Sequence, residues 1–172
     1  MYENILEVCF SMSIVMERTP QTYKDMPEES IRDIFLAHLN GHFEGGVSGE
    51  TFNKKGKTDI LIQIENDIVF IAECKIWDGE KVLLDTIDQL FGYITWRDTK
   101  AAIFIFNKDR KISTVLNKID DIMQKHNNFL SKSPLKSENL KKPGIYGYNF
   151  KHPDDENIKV SLTILVFNFN YY

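Results

Sequence analysis

The sequence predicts an α/β domain in which one mixed central sheet is flanked by helices on both faces. Three observations lead there. Segments 58–64, 68–76 and 101–106 are apolar on both alternating faces, as strands covered on each side must be. Leu83, Leu84, Ile87, Leu90, Phe91 and Ile94, and later Ile112, Val115, Leu116, Ile119, Ile122 and Met123, recur at the three- and four-residue spacing of amphipathic helices. Helices and strands also interleave, in the order helix, strands, helix, strand, helix, strands. A chain of 172 residues suits one such domain, able to bury roughly two-thirds of its unfolded surface. No internal repeat or linker marks a second unit.

From the start of the chain, the apolar residues Ile5, Leu6, Cys9, Phe10, Met12, Ile14 and Val15 fit a helix over Met1 to Met16 better than an alternating strand. A second helix begins near Asp25-Met-Pro-Glu-Glu, with Asp25 as its cap, Pro27 in the first turn and acids facing the helix dipole. Its buried stripe is Ile31, Ile34, Phe35 and Leu39, and Asn40-Gly41 ends it. The Gly-rich stretch through Gly49 reads as a loop or loose strand. Strands over 58–64 and 68–76 should pair as a hairpin. The next helix runs to about Trp96, a buried strand covers Ala101 to Phe106, and another helix covers Ile112 to His126. After a Lys/Ser/Pro loop, Tyr146 to Phe150 and Val160 to Phe169 extend the sheet, separated by the turn-rich His152-Pro-Asp-Asp-Glu-Asn.

Composition narrows the function classes. Cys9 and Cys74 build no disulfide framework and no zinc cluster, which fits a reducing cytosol. The acidic, Pro-broken start is unlike a signal peptide, and no apolar run approaches the roughly 20 residues that span a bilayer, so neither secretion nor a membrane is expected. A net charge of −4 argues against a general nucleic-acid coat. Basic residues are nevertheless bunched at Lys54, Lys55 and Lys57, and again at Lys132, Lys136, Lys141 and Lys142; such runs are more often solvated loops than phosphate clamps.

The chemistry lies in Gly56-Lys-Thr-Asp-Ile-Leu-Ile, Ile71-Ala-Glu-Cys-Lys-Ile-Trp and Asp88-Gln-Leu-Phe-Gly-Tyr. An Asp heads one buried strand and a Glu-x-Lys sits inside the next, where ionisable groups are costly without partners or a metal. Residues two apart in a strand share a face, so Glu73 and Lys75 project together. A three- or five-residue turn around Glu65-Asn66-Asp67 sets Asp59 opposite Glu73, whereas a two-residue Asn66-Asp67 turn sets it opposite Cys74. An odd-numbered turn is therefore expected. Two carboxylates on one face can hold Mg2+ or Mn2+ through oxygen, and Lys75 beside them can orient water or stabilise charge growing on a phosphate. The plainer alternative is a turn-capping Asp and an ordinary Glu/Lys pair on an exposed strand, which the apolar flanks disfavour.

These residues resemble the PD-(D/E)xK nuclease superfamily, whose members have the restriction-endonuclease-like fold. The resemblance implies metal ligands at Asp59, Glu73 and the backbone carbonyl of Cys74, with Lys75 assisting the water. Thr58 stands where the nominal motif has Pro. Gln89 and Tyr93, four apart on one helix, resemble the Q-x-x-x-Y element of RecB-type nucleases, which lies near the metal and contacts nucleic acid. Taken alone, they read equally well as a core Tyr with a Gln at its edge. A further acid from the early helix commonly joins such sites. Glu28 is favoured slightly, with Glu29 as the alternative, although Asp25-x-x-Glu28 also reads as a capping box. Glu50, leading into the catalytic strand, is another acid within reach of it.

The resemblance covers about half the chain, a catalytic core of residues 28–107 within a single domain over 1–172. It implies hydrolysis of phosphodiester bonds in nucleic acid, with DNA favoured, in a bacterial module of the kind joined to longer proteins of defence against foreign DNA. Lys54, Lys55 and Lys57, with Gln89 and Tyr93, are the expected nucleic-acid contacts. Cutting both strands of a duplex asks for two active sites, hence a homodimer or a fused partner domain. A non-catalytic nucleic-acid-binding module and an assembly module with Tyr171 and Tyr172 at its interface are the competing expectations. His38, His42, His126 and His152 show no metal spacing and suggest surface or half-buried roles.

Overall fold

The computed structural model describes residues 1–43, 47–48, 51–53, 56–64 and 67–170. Three helices come first, α1 (Tyr2–Met16), the short α2 (Pro20–Lys24) and α3 (Glu28–His42). Strands β1 (Val47–Ser48), β2 (Thr51–Asn53), β3 (Gly56–Thr58), β4 (Ile60–Ile64) and β5 (Asp67–Ile76) follow, then α4 (Glu80–Tyr93), β6 (Lys100–Asn107) and α5 (Ile112–Lys125). The chain closes with β7 (Phe129–Lys132), β8 (Ile145–Lys151) and β9 (Lys159–Asn168). Seven strands form one mixed sheet in the order β1-β4-β5-β6-β9-β8-β7, while β2 and β3 pair separately. Its centre, β5-β6-β9, is parallel, and the pairs to either side are antiparallel.

The period of two along β5 sorts its side chains into two cores. Phe70, Ala72 and Cys74 face α1 and α3, meeting Ile5, Leu6, Ile31, Phe35 and Leu39. Ile71 faces the other way, with Ile103 and Ile105, toward Leu83, Ile87 and Leu90 of α4 and Val115 and Ile119 of α5. The sheet is thus covered by helices on both faces. Phe35 anchors the first layer, its ring 5.2 Å from that of Phe104 and 5.1 Å from that of Phe167. Glu73 and Lys75 share the parity of Ile71, at the end of β5 that leads into α4. Gly79, at φ 96°, turns the chain into that helix in a conformation costly for any residue with a Cβ.

Several boundaries differ from the sequence expectations. The expected strand over 58–64 breaks at Asp59, where β3 leaves the main sheet. The register pairs Ile64 with Asp67 and Gln63 with Ile68, then shifts so that Ile62 faces Phe70 and Ile60 faces Ala72. Two residues, not an odd number, therefore join the strands. The bulged residue Val69 restores the parity that sets Asp59 beside Glu73. Glu65 and Asn66 themselves lie outside the described residues, as do Gly49, Glu50, Tyr171 and Tyr172.

α3 continues through Gly41 to His42, and α4 stops at Tyr93, with Ile94 extended, rather than at Trp96. Asp25 does not cap α3: Pro27 occupies the cap position, with no side-chain cap. β7 leaves no strand pattern in the sequence, because its four residues carry only the half-buried Phe129 and are held by pairing with β8. His152 is buried, its Nε2 2.9 Å from the carbonyl oxygen of Thr95, and the largely buried ring of His126 packs between Phe91 and Phe150.

One close approach on β8 can be tested. A Cβ on Gly147 would lie 2.1 Å from the carbonyl oxygen of Ser133, whose own N–H donates to the Gly147 carbonyl at 2.8 Å. Backbone on both sides leaves nothing flexible to yield. Gly147→Ala is expected to cost about 1–3 kcal/mol, read as a lower midpoint in urea unfolding.

Candidate functional site

The site begins where a strand stops. Among the described residues the β4–β5 ladder ends at Ile60 and Ala72, because the chain bends at Asp59 and β3 turns away to pair with β2. The last residues of β5 therefore present backbone groups on an edge that no strand among the described residues pairs with. Carboxylates take them. The N–H of Cys74 donates to Asp59 Oδ2 at 2.8 Å, and the N–H of Ile76 donates to Glu28 Oε2 at 2.7 Å. In return, the N–H of Asp59 donates to Glu73 Oε1 at 3.3 Å. The buried hydroxyl of Thr58 braces the bend by donating to the Ala72 carbonyl at 3.3 Å.

Glu73 is 1% exposed, so it does not belong to a solvated strand face. Burial first, and then the negative charge of Asp59, push its carboxyl up from 4.5 to about 8. Above it on α4, Gln89 Nε2 donates to Glu73 Oε2 at 3.2 Å and to Tyr93 Oη at 2.9 Å. The helical spacing of four thus places both side chains over the strand pair. Gln89 is exposed and Tyr93 half-buried, so neither is a core residue of α4.

Lys75 pairs with Glu28, Nζ to Oε1 at 2.9 Å, rather than with Glu73. Burial disfavours its charge, but the hydrogen bond and charge of Glu28, aided by Asp59 and Glu73, outweigh this and raise its pKa above the usual lysine value. Glu28 therefore does not form a capping box with Asp25; its two oxygens hold a lysine and a strand edge. Beside it opens a cleft of about 250 Å3 lined by Glu28, Glu29, Arg32, Lys57 and Asp59. Arg32 is missing from the sequence expectations. It is 9% exposed, and its Nη1 lies 3.6 Å from Asp59 Oδ1. The available signal was its position four residues after Glu28, one turn along the same side of α3.

Among the described residues no cluster of three or more His, Cys, Asp and Glu side chains is gathered as a metal site. The donor set does fit a hard cation, however. Backbone polar groups alternate along a strand, so the Cys74 carbonyl points to the same edge as the Cys74 N–H that meets Asp59. Asp59, Glu73 and that carbonyl would supply oxygen ligands, the preference of Mg2+ and Mn2+. A divalent charge would also offset the burial and the Asp59 charge that raise the Glu73 pKa. The Cys74 side chain points into the core beneath α3, where burial pushes its thiol well above the ordinary range, so it offers no thiolate.

Asp59, Glu73, Lys75, Gln89, Tyr93 and Glu28 thus come together, with Glu29 on the rim of the same cleft. Of the expected basic contacts, Lys57 is exposed at the cleft, while Lys54 and Lys55 lie outside the described residues. Lys132 and Lys141 are engaged elsewhere, by Asp120 and Glu138. No helix among the described residues is long and apolar enough to cross a membrane. Compared with models of protein families, with curated proteins and with solved structures, the chain gives no match.

Proposed function

We propose that this chain is a metal-dependent nuclease of the PD-(D/E)xK type, with a restriction-endonuclease-like fold, that hydrolyses phosphodiester bonds in nucleic acid, DNA being the favoured polymer. The observation that carries the reading is the convergence of Asp59, Glu73 and Lys75 at the free edge of β5, with Gln89 and Tyr93 over it. Asp59, Glu73 and the Cys74 carbonyl would hold Mg2+ or Mn2+, with Glu28 the next acid at hand. Such a cation supplies Lewis acidity for a phosphoryl oxygen and makes a nearby water more acidic.

The chain's own groups do the rest. Glu28 keeps Lys75 charged and aimed, so that its ammonium can orient the attacking water and stabilise the charge that grows on the phosphate. Gln89, tied to both Glu73 and Tyr93, holds the acid in place and offers polar contacts to a strand lying along α4. Lys57 offers a cation to the phosphate backbone. The same reading includes a cytosolic module that cuts duplexes as a homodimer or beside a fused partner domain, in defence against foreign DNA.

Its test is to incubate the protein with supercoiled plasmid and an end-labelled single strand, in Mg2+, Mn2+ or EDTA. Cutting with either metal and none in EDTA is the expected result. Salt-sensitive binding without cutting would replace the nuclease by a binding module.

A further inference from the structure

We infer that Arg32 changes role, offsetting the charge of Asp59 before a divalent cation arrives and binding phosphate in the adjoining cleft afterwards. This rests on the proposed function. Arginine stays charged at any working pH, and its side chain here is only 10% exposed, a costly placement without a compensating anion. Its Nε and Nη2 lie 3.0 and 2.9 Å from Asp33 Oδ1. That neighbour is 62% exposed. The other end, Nη1, reaches inward to within 3.6 Å of Asp59 Oδ1.

Asp59 is also the carboxylate a cation would claim. A cation and Arg32 are then two positive charges competing for one anion. Once a cation holds Asp59, the attraction between Asp59 and the guanidinium weakens and the two positive charges repel, and the adjoining cleft is where Nη1 can meet a further anion. A phosphate oxygen pair matches the fork of an arginine, and Lys57 on the same cleft adds a second positive charge. Arg32 should therefore oppose the metal and favour the nucleic acid.

Those opposite signs make the test. Mn2+ affinity is measured by calorimetry without nucleic acid, and affinity for a fluorescein-labelled oligonucleotide by anisotropy in Ca2+, with its integrity checked on a gel. Arg32→Gln should bind Mn2+ about tenfold more tightly, through loss of the competing charge, and the oligonucleotide about tenfold more weakly, through loss of a charge-assisted contact. Arg32→Lys, which keeps the charge without the fork, should restore the wild-type Mn2+ affinity but only part of the oligonucleotide affinity. Weakening of both ligands together in Arg32→Gln would assign the residue to the scaffold and overturn the inference. So would wild-type oligonucleotide affinity in Arg32→Gln while the wild-type protein still cuts, an outcome that leaves the nuclease reading standing. If the wild-type protein binds Mn2+ but neither binds nor cuts nucleic acid, both fall.

Discussion

Asp59→Asn is expected to lower metal-dependent cleavage by about a thousandfold or more, because it removes a charged metal ligand at the centre of the site. The amide keeps an oxygen for the Cys74 N–H, so the β5 edge stays satisfied and the thermal midpoint should stay within a few degrees of the wild type. Asp59→Ala should lose the same activity but also strand that N–H, at about 1–3 kcal/mol. Part of that cost is offset, since Glu73 no longer faces a negative neighbour. Plasmid nicking, Mn2+ calorimetry and circular-dichroism melts on the two variants separate chemistry from folding. Undiminished cutting by a folded Asp59→Asn protein would remove Asp59 from the site.

The second large effect concerns Glu73 and pH. Its carboxyl is raised from 4.5 to about 8 in the folded chain, so the native state holds this proton more tightly than the unfolded state does. The sign follows from linkage. The stabilising contribution is complete below pH 4.5 and is lost progressively as pH rises toward 8, where a buried negative charge must form beside Asp59. Glu73→Gln has no proton to lose. It should escape that decline and be more stable than the wild type at pH 9, by roughly 3 kcal/mol as an order of magnitude. It should also lose Mn2+ affinity and cleavage. In the wild type, metal must displace the proton, so Mn2+ affinity should climb nearly tenfold from pH 6 to 7 and about fivefold from pH 7 to 8, with proton uptake by the buffer. Equal stability slopes for the two proteins from pH 5 to 9, or a wild-type Mn2+ affinity flat across pH 6 to 8, would contradict this.

The parts of the site legible in sequence are those that depend on local periodicity. Glu73 and Lys75 share a strand face because side chains alternate, and Gln89 meets Tyr93 because four residues make about one helical turn. The two-sided apolar character of 68–76 and 101–106 likewise marks strands buried between helical layers, which is where β5 and β6 lie. What periodicity cannot convey is how chain segments meet. In sequence the parity of Asp59 with Glu73 hangs on an odd-numbered turn; the fold has a two-residue connection and reaches that parity by a register shift at Val69, and no single residue in that stretch announces one.

Glu28 illustrates the same limit. In sequence it competes between a cap for its own helix and a ligand. In the fold, the N-terminus of α3 lies against the free edge of β5, and the acid turns to Lys75 and Ile76. Arg32 looks like any polar helix residue until β3 leaves the sheet and Asp59 bends toward it. β1 and β2 are too short, at two and three residues, for an alternating pattern to register.

The most direct test of the central claim compares the wild type with Lys75→Ala, each incubated with supercoiled plasmid and a labelled single strand in Mg2+, Mn2+ and EDTA, with Mn2+ affinity measured in parallel. Metal-dependent cutting by the wild type is the expected result. Lys75→Ala should lose about a hundredfold or more and still bind Mn2+, because the lysine serves the water and the phosphate rather than the cation. No cutting by the wild type with either metal, or undiminished cutting by Lys75→Ala, would contradict the claim.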